Sequence, residues 1–310
     1  MGELGTCKIA EAAFPISPNT RPVDRAPYRT NPRTKGVIDK CVNDMLKWDI
    51  IAQRPSPRVS PITVVAKRNG EPRFCVDYRN TLNRHIVRKT WPLPNLETCL
   101  DAVGGATFIT VADILSAFWQ LPVADGDIGA TAFVANNGKY CFKRMPFGVC
   151  NAPWLFQRMI SMALGHLGLE SELLAYMDDI CALSVTWKAH SQSLGNMFSA
   201  LQAAALTLKP SKIQFGPAQV SYLGHVMSRE GVKISTDRIE AICKLPSPTC
   251  IKDLRSVLGM VNFVRRFDPI TPKLPRHWSS LLEKISSRNA RFKLLGASHK
   301  TKLLGQQKTC

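Results

Sequence analysis

Residues 172–185 read ELLAYMDDICALSV, two apolar runs that meet at Asp178 and Asp179. The flanking Leu, Tyr and Ile residues favour strands and aspartates tolerate turn geometry, so the segment predicts strand, tight turn, strand. Two adjacent carboxylates in an apolar hairpin are costly unless their charge is compensated. No lysine or arginine occurs between residues 159 and 187 to compensate it. The pattern leaves two readings, an exposed Asp-Asp turn or a cation site.

Outward from this hairpin, ATFITVADI (106–114) is β-branched and aromatic and predicts a strand with Asp113 at its C-terminal end. If that strand pairs beside the hairpin, three carboxylates converge. Like charges that close suppress one another's ionisation unless a divalent ion lies between them, and an oxygen-only set suits Mg²⁺ or Mn²⁺.

The charge distribution favours the cation site. The chain of 310 residues carries a formal charge of +18. Residues 1–100 hold 17 basic and 9 acidic side chains, residues 101–200 hold 5 and 8, and residues 201–310 hold 19 and 6. Two basic flanks thus surround an acidic centre, which suits a polyanion held over central carboxylates.

Other classes fit less well. Hydrophobic residues at 45% and charged residues at 21% argue against a disordered tail or a fibre, and no run of 18 apolar residues exists to span a membrane. The ten cysteines include no C-x-x-C pair, and no two of the six histidines lie within five residues. A zinc ribbon or HExxH site is therefore not expected, and the cysteines read as reduced intracellular thiols. The opening MGELGTCKIAEAAF lacks a basic segment followed by an apolar one, which argues against secretion. The expected location is intracellular: cytoplasmic, in particles, or nuclear.

The remaining elements follow from local patterns. Residues 15–34 carry five prolines and four arginines and predict an extended surface strap. Val37, Ile38, Val42, Met45, Leu46 and Ile50 recur at helical spacing over 34–50. Asn69-Gly70 marks a hairpin between ITVVAK and PRFCVDYR, and Asn137-Gly138 marks another between 131–134 and 139–143. WPLPNLETCLDA (91–102) predicts a turn and a short helix. Asn151 is the expected N-cap of a helix running to about 165, with Pro153 in its first turn. A helix over 188–205, a hairpin over 221–228, a strand around VKIS, and helices over 236–244 and 249–266 complete the pattern, with one more helix and a frayed basic tail to 310.

A series of short blocks then appears in order. They include PYR (27–29), SPITVVAK (60–67), RFCVDYR (73–79), WPLP (91–94), TFITVADILSAFWQL (107–121), TAF (131–133), MPFG (145–148), NAPWLFQRM (151–159), LAYMDDI (174–180), KPSK (209–212), YLGH (222–225) and LRSVLGMVNFVRRF (254–267). Together they resemble the reverse transcriptase domain of Gypsy-type long-terminal-repeat retrotransposon polyproteins over about residues 15–267. The resemblance implies an α+β right-hand polymerase fold with fingers, antiparallel-sheet palm and partial helical thumb. An N-terminal strap would occupy 1–34, fingers and palm 35–235, and partial thumb or connection helices with a basic tail 236–310. Ribonuclease H, protease and integrase blocks are not recognised, so the chain reads as a polymerase fragment of a larger polyprotein.

The implied activity is RNA-directed DNA synthesis, adding deoxynucleotides to a primer 3′-OH. The resemblance makes Asp113, Asp178 and Asp179 catalytic and assigns them two Mg²⁺ ions, or Mn²⁺. Lys212 would help protonate pyrophosphate, Lys67 and Arg73 would close on the triphosphate, and Phe118 would stack under the deoxyribose and exclude a 2′-OH. Phe147, Gly148 and Gln157 would flank the incoming nucleotide, with Leu223-Gly224 of the 221–228 hairpin against the primer end. Implied partners are an RNA template, a DNA or RNA primer, deoxynucleoside triphosphates, and a separate ribonuclease H-bearing chain or a second copy; no membrane is implied.

Three departures stand out. Ala130 replaces the usual lysine before Thr-Ala-Phe, an extra residue lies within 77–83, and Asp49 replaces a glycine. A second reading, a catalytically silent relic that binds RNA or RNA–DNA hybrid, draws on Ala130 and the absent partner domains. The three aspartates favour the enzyme. A group II intron or telomerase-like polymerase fits the VDYRNTLN and NAPWLFQ wording less well.

Overall fold

In the computed structural model the described residues are 4–260, other than 67–69, 71, 93–102, 104, 136–137, 166, 169–171, 229–230, 246–252, 254 and 258. The chain divides into two compact units, residues 1–223 with 227–231 and residues 224–226 with 232–310.

The first unit begins with the strap and helix α1 (Pro32–Lys47). Strands β1 (Ile51–Gln53), β2 (Ile62–Ala66) and β3 (Pro72–Val76) and the short helix α2 (Leu82–His85) follow. Next come β4 (Phe108–Asp113), 3₁₀ turns at Ala117–Gln120 and Asp125–Thr131, β5 (Phe133–Ala135), β6 (Gly138–Phe142) and α3 (Ala152–Gly165). Strands β7 (Leu173–Tyr176) and β8 (Asp179–Ser184), helix α4 (Trp187–Ala203), a 3₁₀ turn at Pro210–Lys212, and strands β9 (Gln214–Phe215) and β10 (Gln219–Tyr222) lead to the unit boundary. Strand β11 (His225–Ser228) crosses that boundary, and the second unit contains β12 (Gly231–Ile234) from Val232 on and α5 (Thr236–Cys243).

Helix α1 starts earlier than the proline count suggests. Asn31 caps it by accepting the Thr34 N–H at 2.7 Å, and Pro32 sits in the first turn, where its missing N–H costs nothing. Pro32 and Arg33 therefore belong to the helix and not to the strap. Ile38, Val42 and Met45 form its buried stripe, while Leu46 is exposed.

Immediately after α1, Asp49 holds φ at 53°, in the left-handed region that glycine adopts without penalty. Lys143 Nζ meets its carboxylate at 2.5 and 2.6 Å, an exposed pair of small net worth. Relief of the backbone strain outweighs the lost pair, so Asp49→Gly should stabilise the protein by about 0.5–1 kcal/mol in a urea melt. A lowered midpoint would show that the ion pair is the larger contribution.

The predicted hairpins form. Strands β2 and β3 pair from Ile62↔Val76 to Ala66↔Pro72. Strand β6 pairs with both β1 and β5, and Ala135↔Gly138 closes the second hairpin. The central sheet has the order β7-β8-β4-β9 and is antiparallel throughout. Helix α3 contributes Leu155, Phe156, Met159 and Ile160 to the core, and α4 contributes Leu194, Met197 and Leu201.

Beneath this sheet the fully buried His190 of α4 bonds Thr110 Oγ1 at 2.8 Å through Nε2 and Ser184 Oγ at 3.3 Å through Nδ1. Burial pushes its pKa down, so a neutral ring ties the helix to β4 and β8. Asn151 precedes α3 as expected, and its carbonyl accepts the Leu155 N–H. Its side chain donates to the Val87 carbonyl at 3.0 Å and so tethers a neighbouring segment to the start of the helix.

In the turn between β10 and β11, Leu223 and Gly224 both hold positive φ, at 49° and 76°. No helix among the described residues is long and apolar enough to cross a membrane. The helix expected within 91–102, most of that within 249–266, and everything past 260 lie outside the described residues.

Candidate active site

Strands β4 and β8 run antiparallel in a register that sets Asp113 directly opposite Asp179. Across the hairpin, Tyr176 is opposite Asp179, so the two-residue turn is Met177-Asp178. This corrects the expected Asp178-Asp179 turn: the ladder with β4 draws Asp179 into the strand. Met177 then takes φ 57°, an unusual conformation for a residue with a side chain.

Two anchors hold the turn. Gln157 of α3, almost fully buried, accepts the Met177 N–H at 2.8 Å and donates to the Ala175 carbonyl at 3.0 Å. On the other side Ile114 N–H donates to the Asp178 carbonyl at 2.9 Å. The three aspartates are thus fixed by backbone bonds at the end of one sheet.

The electrostatics follow from that crowding. Asp178 is exposed, Asp179 half-buried and the Asp113 side chain 14% exposed. Burial, then the charges of Asp178 and Asp113, push the Asp179 carboxyl up to about 6, against the pull of Lys212. Lys212 lies in the 3₁₀ turn after β4's neighbour Lys209, whose N–H donates to the Asp113 carbonyl at 2.8 Å. Its Nζ donates to Asp113 Oδ2 at 2.5 Å, and this bond is the main cause that raises the lysine's pKa.

Among the described residues, no three His, Cys, Asp or Glu side chains are already gathered as a metal cage. The donor chemistry nonetheless fits divalent cations: oxygen ligands only, on one sheet end, with one carboxyl driven toward protonation by burial and then by its neighbours' charges.

A second cluster is aromatic. Phe118, in the 3₁₀ turn behind Ser116 (φ 45°), packs with its ring centre 5.2 Å from that of Phe147, tilted, and 5.7 Å from that of Phe156, edge-on. The Arg73 guanidinium of β3 lies 5.3 Å from the Phe147 ring centre. These contacts connect β3, the 145–148 loop, Phe118 and α3. Gly148, exposed beside them at φ 95°, could not carry a side chain easily, since a Cβ would come within 3.2 Å of the Val76 carbonyl.

Of the sequence-derived site residues, the structure thus brings together Asp113, Asp178, Asp179 and Lys212, and joins Arg73, Phe118 and Phe147 in a second cluster. Lys67 lies outside the described residues. The resemblance puts Gln157 beside the nucleotide, whereas here its amide is occupied by the turn. Ala130 is buried in the hydrophobic core, so the lysine it replaces is not simply a missing surface charge.

Sequence reasoning missed Gln120, whose fully buried amide donates to the Leu115 and Thr207 carbonyls and accepts the Thr207 N–H at 2.7 Å. It fixes the segment that follows Asp113. The signal was a glutamine inside an apolar run, in FWQL as in WLFQRM, because a buried amide must find partners.

An antiparallel sheet with three aspartates at one end matches the palm of a right-hand polymerase. The fold agrees with solved structures of foamy viral protease-reverse transcriptase. One, in complex with double-stranded DNA, matches with TM-score 0.78 at 24% identity over 91% of this chain and 49% of that one. Another, in complex with RNA/DNA hybrid, matches with TM-score 0.74 at 23% identity over 92% and 40%.

The chain belongs to the family described as reverse transcriptase (RNA-dependent DNA polymerase), whose model matches residues 37–227. It is 36% identical over 247 residues to the retrovirus-related Pol polyprotein from transposon opus of Drosophila melanogaster, covering 78% of this chain and 24% of that protein. It is 32% identical over 263 residues to the transposon Tf2-3 polyprotein of Schizosaccharomyces pombe, covering 84% and 20%. The chain therefore spans about a quarter or less of the length of these curated relatives.

Proposed function

We propose that this chain is the RNA-directed DNA polymerase domain of a Gypsy-type retrotransposon polyprotein. It would extend the 3′-OH of a DNA or RNA primer with deoxynucleotides on an RNA template. The observation that carries the reading is the register pair Asp113↔Asp179 with Asp178 in the adjoining turn. In this reading residues 1–31 are the strap, 32–235 fingers and palm, and 236–310 a partial thumb with its basic tail.

Asp113, Asp178 and Asp179 would hold two Mg²⁺ or Mn²⁺ ions, which when bound supply a more acidic primer hydroxyl and charge neutralisation at the reacting phosphate. The protein's own groups orient the rest. Gln157 sets the turn that aims Asp178, and Gln120 fixes the chain just beyond Asp113. Lys212, cationic and half-exposed at the Asp113 carboxylate, holds a proton within reach of departing pyrophosphate. Arg73 is free to make paired bonds to triphosphate oxygens from its place over Phe147.

The basic flanks would hold template and primer through phosphate contacts, largely without reading sequence. The foamy viral complexes with DNA duplex and RNA/DNA hybrid support that partner class. A ribonuclease H-bearing chain or a second copy, and an intracellular setting in cytoplasm, particles or nucleus, belong to the same proposal. Ala130 lends no weight to a silent relic, because its side chain is part of the core.

Phe118 tests the reading of the aromatic cluster. If its ring excludes the 2′-OH, Phe118→Ala should admit ribonucleotides and change the ratio of dGTP to GTP incorporation by at least about tenfold, which corresponds to about 1.4 kcal/mol. A purely packing role predicts a loss of roughly 3–5 kcal/mol of stability with that ratio unchanged. Incorporation assays beside thermal melts separate the two outcomes.

A further inference from the structure

Arg58 and His85 have no part in the chemistry above. Arg58 comes from the proline-rich segment between β1 and β2, and His85 is the last residue of α2. Residues 15–25 of the strap lie across both. Ser17 N–H donates to the His85 carbonyl at 2.9 Å, and Val87 N–H donates to the Pro15 carbonyl at 2.7 Å. Arg58 Nη2 donates to Thr20 Oγ1 at 3.2 Å, while Arg25 N–H donates to the Val59 carbonyl and Val59 N–H to that of Val23.

Under this cover two side-chain nitrogens are shielded from solvent without a hydrogen-bond partner among the described residues: Arg58 Nη1 and His85 Nε2. The two groups act on each other. Burial, then the charges of Arg58 and Arg84, push the His85 pKa down, and no acidic group contributes to balance them. A shielded guanidinium N–H without an acceptor is costly, more so because it is charged. An imidazole beside it becomes a second donor once protonated.

A guanidinium and an imidazole that becomes cationic on protonation, with Arg84 acting on the imidazole and the strap's carboxylate, Asp24, paired with Lys139 Nζ at 3.4 Å, match the chemistry of a multiply charged oxyanion. We propose that Arg58 and His85, beneath the 15–25 strap, form a binding site for a phosphate group. The phosphate is either free inorganic phosphate or a phosphodiester of bound nucleic acid. Because the donors are covered, occupation and closure of the strap are coupled: the anion satisfies Arg58 Nη1 and His85 Nε2 and removes the repulsion that resists closure.

The test uses the whole chain at constant ionic strength, with inorganic phosphate replacing chloride at about pH 6 and about pH 8. Tryptic cleavage after Arg25 reports the strap, and the ring resonance of His85 reports the site. Phosphate should slow this cleavage by about tenfold at the lower pH and less at the higher, as protonation adds the second donor. It should also shift the His85 resonance. Arg58→Gln and His85→Phe should each lose the protection.

Protection by a short oligonucleotide without protection by free phosphate would identify the phosphodiester as the ligand. Equal protection of wild type and Arg58→Gln, or no response of wild type to either probe, would overturn the site. Should Arg58→Gln fail to fold, the wild-type His85 resonance decides alone, and a resonance unmoved by both probes contradicts the proposal.

Discussion

Asp179→Asn should melt at a higher temperature than the wild type in the presence of a chelator, and should extend no primer. The two effects have one cause. Asp179 opposes Asp113 in the ladder and adjoins Asp178, so its ionised form is repelled from two sides while half-buried. A shift of about two pKa units is worth roughly 3 kcal/mol at full weight, and solvent screening of a half-exposed group reduces this to about 1–2 kcal/mol.

The folded-state pKa of about 6 lies above that of an unfolded aspartate. Its contribution to stability is therefore fully present below about pH 4 and is lost as pH rises through about 6. The melting advantage of Asp179→Asn should open over that window and stay constant above it. Adding Mg²⁺ should stabilise the wild type and leave the variant nearly unmoved, because binding to the folded state alone shifts its stability. Primer extension should fall by about a thousandfold or more if this carboxylate holds a catalytic ion. A variant that melts lower in chelator, or one that still extends, would remove Asp179 from the site.

The second large effect is expected at Gln157. Its amide satisfies Met177 N–H and the Ala175 carbonyl, and it steadies a left-handed φ in the turn that carries Asp178. Gln157→Leu keeps the volume approximately but leaves both backbone groups without this partner, at a cost of about 1–3 kcal/mol. With the turn loosened, the chemical step should slow by roughly 10- to 100-fold, since small misplacements of catalytic groups are expensive. Hybrid affinity, which rests on phosphate contacts elsewhere, should hardly change. A rapid-quench measurement of single-nucleotide addition beside hybrid binding checks this. Full-rate addition would show that the turn needs no brace.

Much of this palm was legible in the sequence because its signals are local. The two apolar runs around Asp178-Asp179, the β-branched run that ends at Asp113 and the Asn-Gly turn residues each predicted an element that forms. What local signals cannot contain is register. Nothing in YMDD says whether the turn is Met177-Asp178 or Asp178-Asp179, because the choice is made by pairing with β4, more than sixty residues away in the chain.

The same limit hid the partners of Gln157 and Gln120. Their burial was foreseeable from apolar neighbours, but the carbonyls they meet come from β7 and from residue 207. Asp49 shows the converse case. Its departure from glycine was visible, and only the structure supplies the positive φ and the Lys143 contact that accompany it.

The most direct test of the central claim is primer extension by the purified chain on poly(rA)/oligo(dT) with dTTP, in Mg²⁺ and separately in Mn²⁺, beside the Asp178→Asn protein. The account predicts elongated primer from the wild type and none from the variant, with both proteins binding the hybrid. Hybrid binding without extension by the wild type in either metal, or equal extension by the two proteins, would contradict it.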